Sequence, residues 1–142
     1  MRKNLILKVV LGWLGMAIAG VVNGMVRNWV YLPVVGDLVA HQISTGILMV
    51  VLVGVVYVVL GQELVRLSDW ELWRIGAVWV GMTILFEFGA GHYLFRNSWQ
   101  KLWADYDLTR GRVWLLVLVT ELAAPIVLKR LMSLKGLEPK GN

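Results

Sequence analysis

The stretch Ser68–Phe95, "SDWELWRIGAVWVGMTILFEFGAGHYLF", decides how the chain is read. It opens on Ser68 and Glu71, three residues apart. The serine can take an orphan helical amide there while the glutamate reaches back to the amide of Ser68. Beyond this capping box runs an apolar helix longer than the roughly 20 residues needed to cross a bilayer's hydrocarbon core. Inside that helix stand Glu87 and His92, polar groups that a lipid environment penalises. The apolar run points to the fold, and the two polar residues raise the question of function.

Working outward, three more apolar blocks of spanning length appear, at about 5–31, 38–60 and 112–132, each reading as one transmembrane helix. The first is expected to stop at Tyr31, because the residue before Pro33 disfavours the helical region. Asp37 is the expected N-cap of the second and Gly61 its stop. Residues 133–142 read as a short polar tail. The 142 residues are 58% hydrophobic with a mean hydropathy of +0.70, well above the usage of soluble domains. The chain therefore reads as one all-α domain over 1–142, an integral membrane bundle of four transmembrane helices.

Arg2 and Lys3 precede an apolar run and an Ala17-Ile18-Ala19 motif, as in a secretory signal. The run continues through Val22, Met25 and Val26, so the segment reads as an uncleaved first span. The chain contains no cysteine, which removes disulfides, thiolate metal sites and thiol catalysis. Its net charge of +5 is spread between hydrophobic blocks instead of along a basic face, so it reads as topology and not as nucleic-acid binding. With both termini cytoplasmic, the inner side holds Arg2, Lys3, Lys8, Arg66, Arg74, Lys129, Arg130, Lys135 and Lys140. The outer side holds Arg27, Arg96, Lys101, Arg110 and Arg112, and nine against five favours this orientation. Trp70 and Trp73 would mark the inner interface, and Trp29, Trp99, Trp103 and Trp114 the outer one. Trp99, Leu102, Trp103 and Tyr106 fall at helical spacing, so the last outer loop is expected to be a short helix on the membrane surface.

A faint repeat is visible: Trp13-Leu14-Gly15-Met16-Ala17-Ile18 matches Trp79-Val80-Gly81-Met82-Thr83-Ile84, 66 residues later, as a duplicated hairpin would produce.

By helical rise, Asn23, Arg27, His41, Glu87, His92 and Glu121 all fall in the outer half of the membrane, although they come from all four helices. Intramembrane charges normally face the bundle interior and pair, so Arg27 is expected against Glu87 or Glu121. One arginine cannot balance two carboxylates. The surplus requires a protonated histidine, a bound cation, water or a proton on one glutamate. Pro125 leaves the carbonyl of Glu121 without its helical donor, which would set a free carbonyl beside a carboxylate, as in the broken helices of ion-coupled transporters. Gly12, Met16, Ala19, Gly20, Asn23 and Arg27 trace a narrow face on the first helix, suited to close packing or to a flat ligand. His41 and His92 are candidate ligands of a haem between the second and third helices, or of zinc or iron together with the glutamates. Two interfacial, hydrogen-bonded histidines are the plainer alternative. No nucleophile motif, phosphate loop or zincin motif is present, and no catalytic residue is assigned.

At "AHQIST" (Ala40–Thr45), "FEFGAGHY" (Phe86–Tyr93) and "ADYDLTRGRVW" (Ala104–Trp114) the sequence resembles a group of small, four-helix bacterial inner-membrane proteins described only as hypothetical. The resemblance implies the architecture and an inner-membrane location, and no activity. Three functions fit these residues. The first is binding or translocation of an ion, proton or small solute by an oligomer, through Asn23, Arg27, Glu87, Glu121 and Pro125. The second is a structural or accessory subunit of a membrane complex, holding haem or a metal through His41 and His92. The third is a membrane enzyme acting on a lipid, with a glutamate and a histidine as acid and base.

Overall fold

Leu5, Val9, Gly12 and Met16 recur every three or four residues and form the buried stripe of the first helix in a computed structural model that describes residues 3–136. Arg2, Lys140 and the end of the expected polar tail lie outside the described residues. The first helix, α1 (Lys3–Val35), does not stop at Tyr31. Over Arg27–Tyr31 it widens into a π-helical turn, and the Leu32 amide donates to the Arg27 carbonyl five residues back. Pro33 follows directly on this wider turn, and the chain stays helical to Val35.

Gly36 alone joins α1 to α2 (Asp37–Leu64), with φ 79° and ψ 169°, a conformation essentially restricted to glycine. Gly36 is therefore the N-cap, and Asp37 falls one position inside the expected place, where its charge favours the first turn. Gly61 does not end α2. The helix runs on to Leu64 and closes where the amides of Arg66 and Leu67 both donate to the Glu63 carbonyl. The next helix, α3 (Asp69–Tyr93), begins at the capping box foreseen at Ser68 and Glu71. A short helix α4 (Trp99–Ala104) and a 3₁₀ turn (Leu108–Arg110) follow, then α5 (Leu115–Leu134).

The described residues are thus helical, and α1, α2 and α3 are each long and apolar enough to cross a membrane. The fifth helix is also apolar but carries Glu121, Lys129 and Arg130. Large apolar side chains face outward along the long helices, Val58 being 81% exposed, as expected of a surface solvated by lipid. Helix α2 is central: Leu48, Leu52, Val56, Leu60 and Leu64 place a leucine or valine every fourth residue against α1 on one side and α5 on the other. Helix α5 packs in turn on α3. That contact depends on Gly76, whose missing Cβ would lie 2.4 Å from the Leu122 carbonyl oxygen.

Ion pairs tie the two ends. At the end carrying Lys3, Lys8 meets Glu63 at 2.9 Å, and Lys129 donates to Asp69 and to the Leu67 carbonyl, fixing the α2–α3 turn to α5. At the opposite end, residues 94–114 form a cap, in which Arg112 bonds Asp37 and pairs with Asp105. The short helix α4 expected in this loop packs on α3. Trp99 stacks on His92 at 3.9 Å, Trp103 lies against Phe88, and Leu102 fills the space beside Gly91.

Replacing Gly76 by alanine is expected to destabilise the bundle by about 1–3 kcal/mol, because the new methyl meets backbone that cannot move aside. Gly81→Ala, with nothing within 4 Å of its Cβ position, is expected to stay within about 0.5 kcal/mol of wild type. Unfolding in detergent followed by circular dichroism compares the two.

Candidate functional site

The buried stripe of α1 ends at Met16, and that of α3, apart from Gly91, ends at Trp79. The two helices touch where Trp79 fits against Gly12 and donates from Nε1 to the Val9 carbonyl at 2.8 Å, and where Trp13 meets Thr83 and Phe86. Towards the cap they part. The gap is a cavity of about 240 Å3, lined by the cap-side halves of α1 and α3, by α5 and by Asp105 and Tyr106.

The tryptophans of the sequence repeat, Trp13 and Trp79, both lie on this α1–α3 seam. Their bonds are offset in opposite directions, Trp13 reaching forward to Thr83 and Trp79 back to Val9, so the repeat does not generate a symmetric contact. Gly12 and Gly15 serve close packing, against Trp79 and Val55. Gly20 and Gly24 have nothing within 4 Å of their Cβ positions and open the cavity wall instead. The narrow face of α1 therefore divides into a packed half and an open half.

Both glutamates line this cavity. Glu121 is only 3% exposed; its Oε1 accepts from the Thr83 hydroxyl at 2.9 Å, and that hydroxyl accepts from Trp13 Nε1 at 3.1 Å. Glu87 Oε2 accepts from the Tyr106 hydroxyl at 2.5 Å, with the Trp114 indole alongside. Burial, and then the Glu87 carboxylate, push the Tyr106 phenol above its ordinary range, so it remains a donor. Each carboxyl group keeps one buried oxygen, Glu87 Oε1 and Glu121 Oε2, with no hydrogen-bond partner among the described residues. Pro125 is buried one turn beyond Glu121, and α5 passes through it as an unbroken helix.

Arg27 does not pair with either glutamate. Among the described residues no carboxylate lies within ion-pair distance of it, although it and Asn23 line the same cavity. Its Nε donates to Asn28 Oδ1 at 3.4 Å, and its Nη1 lies 3.5 Å from His41 Nδ1. His41 Nε2 lies 3.2 Å from the Val113 amide, and a neutral imidazole has a single acceptor nitrogen, so it accepts from one of these two donors. The guanidinium thus keeps donors that no protein acceptor takes.

The two histidines have separate partners. His41 is wholly buried, with one ring nitrogen at the Val113 amide and the other facing Arg27. His92 sets Nδ1 on the Asn97 carbonyl at 2.9 Å and stacks on Trp99. Among the described residues no three His, Asp or Glu side chains are grouped to hold a metal ion. Both histidines anchor the cap to α2 and α3.

Sequence reasoning did not single out Thr83 and Tyr106, the partners of the two carboxyl groups. Thr83 stands four residues before Glu87, on the same helical face, which is a detectable signal. Tyr106 comes from a loop whose path no local pattern encodes.

Thr83→Val keeps the shape but strands Trp13 Nε1 and a second Glu121 oxygen, and is expected to cost about 1–3 kcal/mol. Combining it with Trp13→Phe is expected to cost about 1 kcal/mol less than the sum of the single variants, measured as a double-mutant cycle of detergent unfolding. The chain matches no family model, no curated protein and no solved structure.

Proposed function

We propose that the chain is a four-span membrane protein that binds a small cation or cationic solute in the capped cavity and carries it across the membrane as an oligomer. The observation that carries this reading is that Glu87 and Glu121 line one cavity and each keeps a buried oxygen, Oε1 and Oε2 respectively, without a partner among the described residues. Buried charges are normally paired, and an unpaired one is strongly unfavourable. Here the protein supplies only neutral donors, Tyr106 and Thr83, to the two acids. A bound cation completes the charge balance.

The spanning arrangement is supported by α5, which at 20 residues is about 30 Å long. Its charged Lys129 and Arg130 fall beside Asp69 at one end, where a headgroup layer would solvate them. Both termini on the cytoplasmic side of a bacterial inner membrane agrees with the charge distribution between the two ends, and sets the cavity in the outer half. Towards the inner side it is sealed by Trp79 and the α2 leucines. Transfer requires the α1–α3 seam at Trp13 and Trp79 to open, and a single small bundle has no second half to rock against, which favours an oligomer.

In proteoliposomes, uptake of ethanolamine, methylammonium or sodium ions is expected to fall at least about tenfold in Glu121→Gln, which removes the charge but keeps the shape. Gly20→Phe, which fills the cavity from α1 and leaves both acids in place, is expected to block the same uptake. Flux that survives both changes in a folded protein sinks the reading.

A further inference from the structure

We propose that the ligand of this cavity is a zwitterion, its ammonium group held by Glu87 and Glu121 and its anionic group by Arg27 and Asn23. This rests on the cation-binding reading above and adds to it the second half of the ligand.

The ammonium half is built by the two acids and their walls. Glu121 is 97% buried, being 3% exposed; it and Glu87 line the cavity, and each keeps one buried oxygen without a partner among the described residues. Both are hydrogen-bond acceptors, so they favour a cation that carries N–H groups over a bare or fully alkylated one. Trp13, Phe86, Tyr106 and Trp114 supply aromatic surface around them, which attracts an ammonium group further.

The anionic half is built on α1. Arg27 lines the same cavity, no carboxylate among the described residues is within ion-pair distance, and its contacts with Asn28 and His41 leave guanidinium donors free. Asp105, the remaining acid on the cavity, is committed to Arg112. A guanidinium with free donors matches a carboxylate or phosphate, and Asn23, one turn earlier on the same face, adds an amide. The π turn that begins at Arg27 sets the side chain's direction.

The spacing suits one molecule touching both halves. The Trp13–Thr83 bond sets Ala17 level with Glu87, one turn on, and Arg27 lies about 15 Å farther along α1. Glu87 bonds Tyr106 of the cap while the Arg27 side chain leans back towards the N-terminus of α1, so the two line one cavity without forming an ion pair. Gly20 and Gly24 leave the floor between the halves open. A cavity of about 240 Å3 is smaller than the roughly 300–1,000 Å3 of drug-sized sites, as a small zwitterion requires. The same chemistry occurs in a free amino-phosphate or amino-carboxylate and in the headgroup of an ethanolamine phospholipid.

Titration calorimetry on the delipidated, detergent-purified protein compares ethanolamine, phosphoethanolamine and inorganic phosphate. Phosphoethanolamine is expected to bind at least about tenfold more tightly than either fragment, the gain of one charge-assisted contact. Arg27→Gln is expected to bring phosphoethanolamine within about twofold of ethanolamine. Glu87→Gln and Glu121→Gln, each checked for folding by circular dichroism, are expected to weaken both amines. Equal affinity for ethanolamine and phosphoethanolamine in the wild type overturns the zwitterion and leaves the cation reading standing. So does a preference that survives Arg27→Gln. No binding of ethanolamine at all overturns both. Native mass spectrometry from nanodiscs separates the sources: Arg27-dependent retention of phosphatidylethanolamine over phosphatidylglycerol supports a lipid headgroup. Phosphoethanolamine binding without such retention supports a free solute.

Discussion

One wedge governs the bundle. Trp79 is wholly buried between α1 and α3, its ring against Gly12 and its N–H on the Val9 carbonyl. An indole of this size is accommodated between two helices only where one of them lacks a side chain, and it must find an acceptor once buried. Both conditions are met at a single level. Since α1 leans on α2, and α3 on α5, the Trp79 contact and the adjoining Trp13–Thr83 bond are what close the ring of helices. On one side of that level the helices form a packed core; on the other they diverge, and the cavity exists because the seam ends where it does.

The distribution of charge follows the same division. Ion pairs occur at the two ends, where water or headgroups share the load and each pair contributes little to stability. In the middle the acids are met by hydroxyl groups. A bundle built for stability alone would replace Glu121 with leucine, since hydrophobic substitutes for buried charges are often neutral or better. A carboxyl group kept at 3% exposure, with an oxygen unused, is therefore read as serving a ligand.

Much of this was legible before any coordinates. The capping box at Ser68 and Glu71 and the long apolar helices follow from local pattern and helical rise. Helix ends were less legible. Pro33 and Gly61 are breakers in isolation, yet a π turn absorbs the first, and packing of Leu60 and Leu64 carries the helix past the second. The partners of the polar residues were the least legible. Opposite charge suggested Arg27 for the glutamates, whereas Thr83 and Tyr106 are the groups in contact, because pairing depends on helix rotation and on the route of the cap. His41 shows the same limit: its role follows from a backbone amide 72 residues away, which no spacing rule contains.

The turn at Gly36 has a consequence for biogenesis. With one residue between α1 and α2, no slack separates their ends, so in a membrane the two would partition as one hairpin. Arg27 and Asp37 stand near its tip, and if that tip were to cross the hydrocarbon their opposite charges would cancel in part. A longer linker at this point would uncouple the helices.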